Sequence, residues 1–179
     1  DQADRAAREL LAGFHMTPRE SLRMLEVCLR HPIKLIVNAL GSPPRDLVER
    51  AHALDIKVGA LVGQVAHARK HRDVGCDLVV AVGTEAAGHT GEIGSMVLWP
   101  RIVDAVAPLP VLGGGGVGRG RQLAAALALG CEGAWCGSIW LKTVQSELTP
   151  EIRAKLLAAG ERDAVLTRTV CPWARPRAR

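Results

Sequence analysis

Tyrosine is absent from this chain of 179 residues, and phenylalanine occurs once, at Phe14. Trp99, Trp135, Trp140 and Trp173 are the remaining aromatics, too few for a surface on which successive nucleobases stack. Also missing is any C-x-x-C pair: Cys28, Cys76, Cys131, Cys136 and Cys171 are scattered and odd in number. That pattern argues against a disulfide framework and a zinc site, and it reads as the reduced thiols of a cytoplasmic protein. No segment approaches the ~18 consecutive apolar residues of a membrane helix. The longest uncharged stretches are broken by Pro and Gly, as in Ala105 to Gly118. The charged start from Asp1 to Glu9 has no apolar stretch of the kind a secretory leader carries, so no leader and no membrane partner are expected.

What is present is ordinary in bulk and biased in detail. Hydrophobic residues at 48% and charged ones at 23% exclude disordered, collagenous and coiled-coil classes. Nineteen glycines beside runs of Ala, Val and Leu suit parallel strands packed closely under helices. The net charge of +5 is unevenly spread. Arg162, Arg168, Arg175, Arg177 and Arg179, against Glu161 and Asp163, place +3 after residue 160, leaving +2 for everything before it. A solvated domain with a basic tail follows, and nucleic acid is not an expected partner.

Local signals recur in a fixed order. Thr17-Pro18-Arg19-Glu20 is a capping box with Pro at the first helical position, and Leu22, Leu25 and Leu29 continue it as a helix to about Arg30. Apolar, β-branched runs then begin at 33, 56, 78, 110 and 133, the last expected to continue through Trp140. Helices are expected from about Pro44, over Gln64 to Arg72, over Met96 to Val106, over Arg119 to Leu129, and after Thr149-Pro150-Glu151. Strictly alternating strands and helices mean βαβ units and a parallel α/β sheet. Two closures are open, a doubly wound sheet and a (β/α)8 barrel. Either one puts chemistry at the C-terminal ends of the strands.

Three of those ends are rich in glycine. Gly113 to Gly120 leaves a strand and enters a helix, an arrangement that offers backbone N–H groups to an anion and also one that makes a plain tight turn. Gly137-Ser138 is expected to close the next strand with a small hydroxyl, as where a barrel completes a phosphate cup. On the strand end that precedes them, Gly83 to Glu92 carries His89, flanked by glycines and by Glu85 and Glu92. A histidine there suits a general base or an anion partner, and equally a loop histidine with a structural role. His67 and His71 share a helix at i, i+4, but Arg69, Lys70 and Arg72 around them point to an exposed face, and no metal site is expected. Cys136 within an apolar run suits packing.

Three strings in this order, Gly83-Thr84-Glu85-Ala86-Ala87-Gly88-His89-Thr90-Gly91, Pro110 to Gln122, and Gly137-Ser138-Ile139-Trp140-Leu141, resemble the nitronate monooxygenase family, formerly 2-nitropropane dioxygenases. The likeness runs from about Pro32 to Arg168, and the related flavin-dependent enoyl-acyl-carrier-protein reductases share the segment around His89. The resemblance implies an FMN-binding (β/α)8 TIM barrel acting on a nitronate or nitroalkane and O2. It implies that His89 is catalytic, as base or partner of the nitro group, and that Ala87, Gly88, Gly115, Gly116, Cys136, Gly137 and Ser138 line the cofactor. Two positions depart from the family pattern. Val82 stands where Gln is usual, and Ala87 stands where Gly is usual, a strained substitution only if its φ is positive.

Length then shapes the expectation. A (β/α)8 barrel takes about 250 residues, and the strands read here are the C-terminal five. The chain is therefore expected to be an N-terminally truncated barrel: a lead-in over 1–16, partial barrel over 17–160, and a disordered basic tail over 161–179. The expected activity is oxidation of alkyl nitronates to a carbonyl compound and nitrite. An enoyl reductase and an inactive phosphate-binding fragment are the alternatives, and oligomeric state is not read from these residues.

Overall fold

The structure, a computed structural model, describes residues 18–165, with side chains from residue 23 onward. Thr17 of the capping box, the lead-in and residues 166–179 of the basic tail, with Arg168, Cys171 and Trp173, lie outside the described residues. The chain divides into two compact units, Asp1–Trp135 and Cys136–Arg179.

In the first unit helix α1 (Pro18–Cys28) precedes five strands with a helix between each successive pair. These are β1 (Leu35–Asn38), α2 (Arg45–His52), β2 (Lys57–Val62), α3 (Val65–Val74), β3 (Leu78–Val82), α4 (Ser95–Val106), β4 (Val111–Gly114), α5 (Gly120–Ala128) and β5 (Gly133–Trp135). All neighbouring strands are parallel, and their spatial order is their sequence order, β1-β2-β3-β4-β5. That order resolves the closure left open by the sequence. A doubly wound sheet reverses strand order at a switch point, whereas right-handed crossovers that never reverse keep every helix on one face, as in a (β/α) barrel.

The two faces are buried differently. Because side chains alternate along a strand, Val58 and Ala60 of β2 meet Val48 and Ala51 of α2 together with Ile56 and Cys76. Val79 and Ala81 of β3 meet Leu98, Trp99, Ile102 and Val106 of α4. Each Val, Leu or Ile among them contributes ~1.5–3 kcal/mol on burial, which is the main force holding helices to sheet. Val80 and Val82 face the other way and are buried too, against Gly114, whose added Cβ would lie 3.3 and 3.4 Å from their methyl groups. This is the face a barrel encloses.

At the N-terminal ends of the strands Asp77 joins three segments. Its carboxylate accepts from Val58 N at 2.8 Å and meets His52 Nε2 at 2.8 Å and Lys57 Nζ at 3.1 Å.

The fifth strand is shorter than its apolar run. Pairing ends at Gly114↔Trp135, because Gly115 takes φ +102° and turns β4 out of the ladder. Strand β5 stops at Trp135, and Cys136 to Trp140 are not strand. Instead the second unit opens with a 3-10 turn over Ser138–Lys142, closed by Trp140 N donating to Gly137 O at 3.0 Å and Trp140 Nε1 to Cys136 O at 2.9 Å. Helix α6 (Pro150–Ala158) follows, capped as expected, with Thr149 Oγ1 accepting from Ile152 N at 3.5 Å.

Candidate functional site

The site is built where β3 and β4 end. Gly83 N donates to Gly114 O at 3.0 Å, carrying the register one residue past β3. The chain then leaves as a loop closed at its base by Thr84 N donating to Ile93 O at 3.1 Å. Inside that base Glu85 reaches the start of α4. Its carboxylate accepts from Ser95 N at 3.0 and 3.1 Å and from Ser95 Oγ at 2.8 Å. The N-cap of α4 is Gly94, which has no side chain to offer, so a carboxylate from ten residues upstream takes a leading N–H that has no partner within the helix. Burial pushes the Glu85 carboxyl up. The Ser95 hydroxyl, Glu85's own backbone, Ser95 N–H and the Thr84 hydroxyl outweigh it and hold it below its usual value. Nothing in the local sequence marks this contact, because no capping rule spans ten residues.

The end of β4 packs against the same knot. Ser95 Oγ lies 3.3 Å from Gly115 O. A Cβ at Gly115 would come within 2.9 Å of Ala86 N, and one at Gly116 within 3.3 Å of Glu85 Cβ. Both glycines have positive φ, +102° and +73°, a region costly for other residues. Further along, Gly118 N and Arg119 N donate to Gln122 Oε1 at 2.8 and 2.9 Å, so a side chain of α5 satisfies the two amides that lead into it. The glycine string therefore holds three kinds of residue: Gly113 and Gly114 inside β4, Gly115 and Gly116 at the turn, and Gly118 and Gly120 at a self-capped helix start. The turn pair is the part of the string whose conformation itself favours glycine.

His89 is exposed on the loop, next to Gly88 at φ +87°. Asp55 is the one non-glycine with positive φ among the described residues, so Ala87 carries no left-handed strain. Past His89 the loop is pressed onto the end of β2, where a Cβ at Gly91 would lie 3.0 Å from Gly63 O. Ala87, Gly88 and His89 thus share one end of the sheet with Gly115 and Gly116. Cys136, Gly137 and Ser138 belong to the second unit and begin one residue after β5; Cys136 is half-buried, and Gly137 and Ser138 are exposed.

The histidine pair on α3 is not one exposed face. His67 is exposed, with Nε2 2.7 Å from Gln64 Nε2, but His71 is 3% exposed and its Nδ1 has no hydrogen-bond partner. Its helical position explains this: His71 follows buried Ala68 by three residues and so shares its inward side, with Arg69, Lys70 and Arg72 outside. Among the described residues no three metal-binding side chains cluster, and no helix is long and apolar enough to cross a membrane.

A parallel βα barrel sheet with two glycine-rich strand ends brought together at its C-terminal edge defines the class of protein. The sequence pattern of the nitronate monooxygenase family matches residues 2–176, and the chain belongs to that family. A Mycobacterium tuberculosis protein named as a monooxygenase is 53% identical over 167 residues, covering 93% of this chain and 44% of that protein. Among solved structures, FabK from Thermotoga maritima superposes with TM-score 0.78 at 30% identity, covering 85% of this chain and 48% of that one. A nitroalkane oxidase from Streptomyces ansochromogenes superposes with TM-score 0.68 at 30% identity, covering 73% and 40%. The chain thus spans about half the length, or less, of the proteins it matches.

Proposed function

We propose that the protein to which this chain contributes is an FMN-dependent nitronate monooxygenase, converting alkyl nitronates or nitroalkanes and O2 to a carbonyl compound and nitrite. The observation that carries the reading is the meeting of the His89 loop with the Gly115–Gly116 turn at the C-terminal edge of a family-matched barrel sheet. Bound there, FMN supplies the electron transfer to O2. The chain's own residues bind and orient. Gly115 and Gly116 would hold the FMN phosphate through backbone N–H groups, with Ala87 and Gly88 beside the ring. His89 would take the α-proton of a nitroalkane, or hold the anionic nitro group of a nitronate. Val82, apolar and buried, offers no polar group to the enclosed face.

The test is direct. Purified chain supplied with FMN should retain a flavin absorbance band after desalting and release nitrite from a nitronate under air; a colourless protein with no nitrite release defeats the reading for this chain. One observation favours a second reading: FabK aligns over more of the chain, and with a higher TM-score, than the nitroalkane oxidase does. A flavin-dependent enoyl-acyl-carrier-protein reductase would consume NAD(P)H with an enoyl thioester and release no nitrite.

A further inference from the structure

We infer that Glu85 and Ser95 are positioning residues that hold the His89 loop and the Gly115–Gly116 turn in a single arrangement. The inference rests on reading that loop and turn as the reactive site, and it adds the pair that builds it. Three segments converge on one hydroxyl. Ser95 Oγ donates to Glu85 Oε2 at 2.8 Å and stands 3.3 Å from Gly115 O, while Ser95 N donates to the same carboxylate. The surroundings leave no slack. A Cβ at Gly83 would overlap Ser95 Oγ, Glu85 Oε2 and Ser95 N, and one at Gly115 would press on Ala86 N and Ser95 Oγ.

An ordinary cap serves only its helix. This carboxylate instead spans the loop that carries His89, so its bonds to Ser95 fix the distance between the loop's ends, and the Ser95 hydroxyl, its one proton given to Glu85 at the shorter distance, packs against Gly115 O of the neighbouring strand end. Gly91 against Gly63 O pins the far side of the same loop to β2. His89 is therefore suspended between two anchored points.

The experiment compares Ser95→Ala, Glu85→Ala and Glu85→Gln with the parent chain by amide hydrogen exchange and by FMN titration followed through flavin fluorescence. Losing a hydrogen bond to a charged acceptor should speed exchange by about tenfold in residues 84–94 and 115–116. Exchange in α2 and β2 should stay as in the parent, with Glu85→Gln falling between, since its single oxygen still accepts from Ser95. FMN affinity should drop in the same order. Unchanged exchange at the loop and turn, or acceleration spread evenly over the sheet, would overturn the inference. Parent chain that fails to bind FMN would count against the cofactor reading alone, because the exchange pattern still judges the pair.

Discussion

The indole of Trp99 lies against the backbone of Gly113: Nε1 donates to Ala81 O at 2.9 Å, and a Cβ added at Gly113 would sit 3.0 Å from Cε2. This glycine stands in β4 because a buried ring from α4 needs the space, not because an anion approaches it. Gly113→Ala is expected to destabilise by about 1–3 kcal/mol, as overpacking does. Gly120→Ala, at an open position without positive φ, should be neutral or gain up to about 1 kcal/mol. Urea unfolding of the two variants separates them; equal effects would show that Trp99 yields without cost.

That pair also shows where the sequence stops being readable. Strand starts were legible because β-branched runs and Pro/Gly breaks are local: those expected at 33, 56, 78, 110 and 133 fall at 35, 57, 78, 111 and 133. The end of β5 was not, because it is decided by the backbone turn at Gly115 on the neighbouring strand. The glycine run looked uniform, yet it divides according to what each residue touches in three dimensions. Glu85 was visible only as a charge beside His89, since its partner lies ten residues away. His71 is a different failure. Its three-residue spacing from Ala68 marks the inward side of the helix, and the basic residues on either side of it in sequence mask that signal.

Burial of His71 makes stability depend on pH. Burial first, then the charges of His67 and Lys70, lower its pKa from the ordinary 6.5. The folded state therefore releases the proton that the unfolded state still binds, and stability falls as pH drops below about 6.5 toward the folded value. Replacing the ring with the neutral His71→Gln should flatten this part of the profile. Thermal melts across that range check it, and an unchanged slope in the variant would remove His71 as the cause.

Asp77 should act at lower pH and far from the site. Burial raises its carboxyl, but Val58 N–H, the His52 and Lys57 side chains and the charge of His52 together hold it below its usual value. Its contribution is present above the unfolded carboxylate value, about 3.9, and is lost as pH falls through the lower folded one. Asp77→Ala, which leaves Val58 N without its acceptor, should cost about 1–3 kcal/mol at neutral pH. The deficit relative to the parent should shrink in acid. Because Asp77 lies at the N-terminal ends of the strands, FMN titration should be unaffected; a large loss of affinity would contradict that separation.

The thiols should sort by burial. Burial, with the charge of Asp77, pushes Cys76 up to about 11, and burial raises Cys131. Neither forms much thiolate at mildly alkaline pH, so both should resist a thiol reagent until the chain unfolds, while half-buried Cys28 reacts in the native state. Mass mapping of labelled peptides reads the order directly. Early modification of Cys131 would mean that the α5 side of the core opens.

His89 carries the sharpest functional prediction. Its exposure, on a loop held at both ends, lets it be replaced without disturbing a core, so His89→Ala should fold and exchange amides as the parent does. If it takes the α-proton, nitrite release from a neutral nitroalkane should fall by about a hundredfold or more. A preformed nitronate, which has already lost that proton, should be spared most of the loss. If instead it holds the anionic nitro group, both substrates should suffer, chiefly through a raised KM, and His89→Gln, which keeps a donor, should recover part of the affinity. Flavin affinity separates these outcomes from a misplaced cofactor, because neither role requires His89 to grip the phosphate. Nitrite release equal to the parent with both substrates would leave His89 a structural loop residue and move the search for the base to other strand ends.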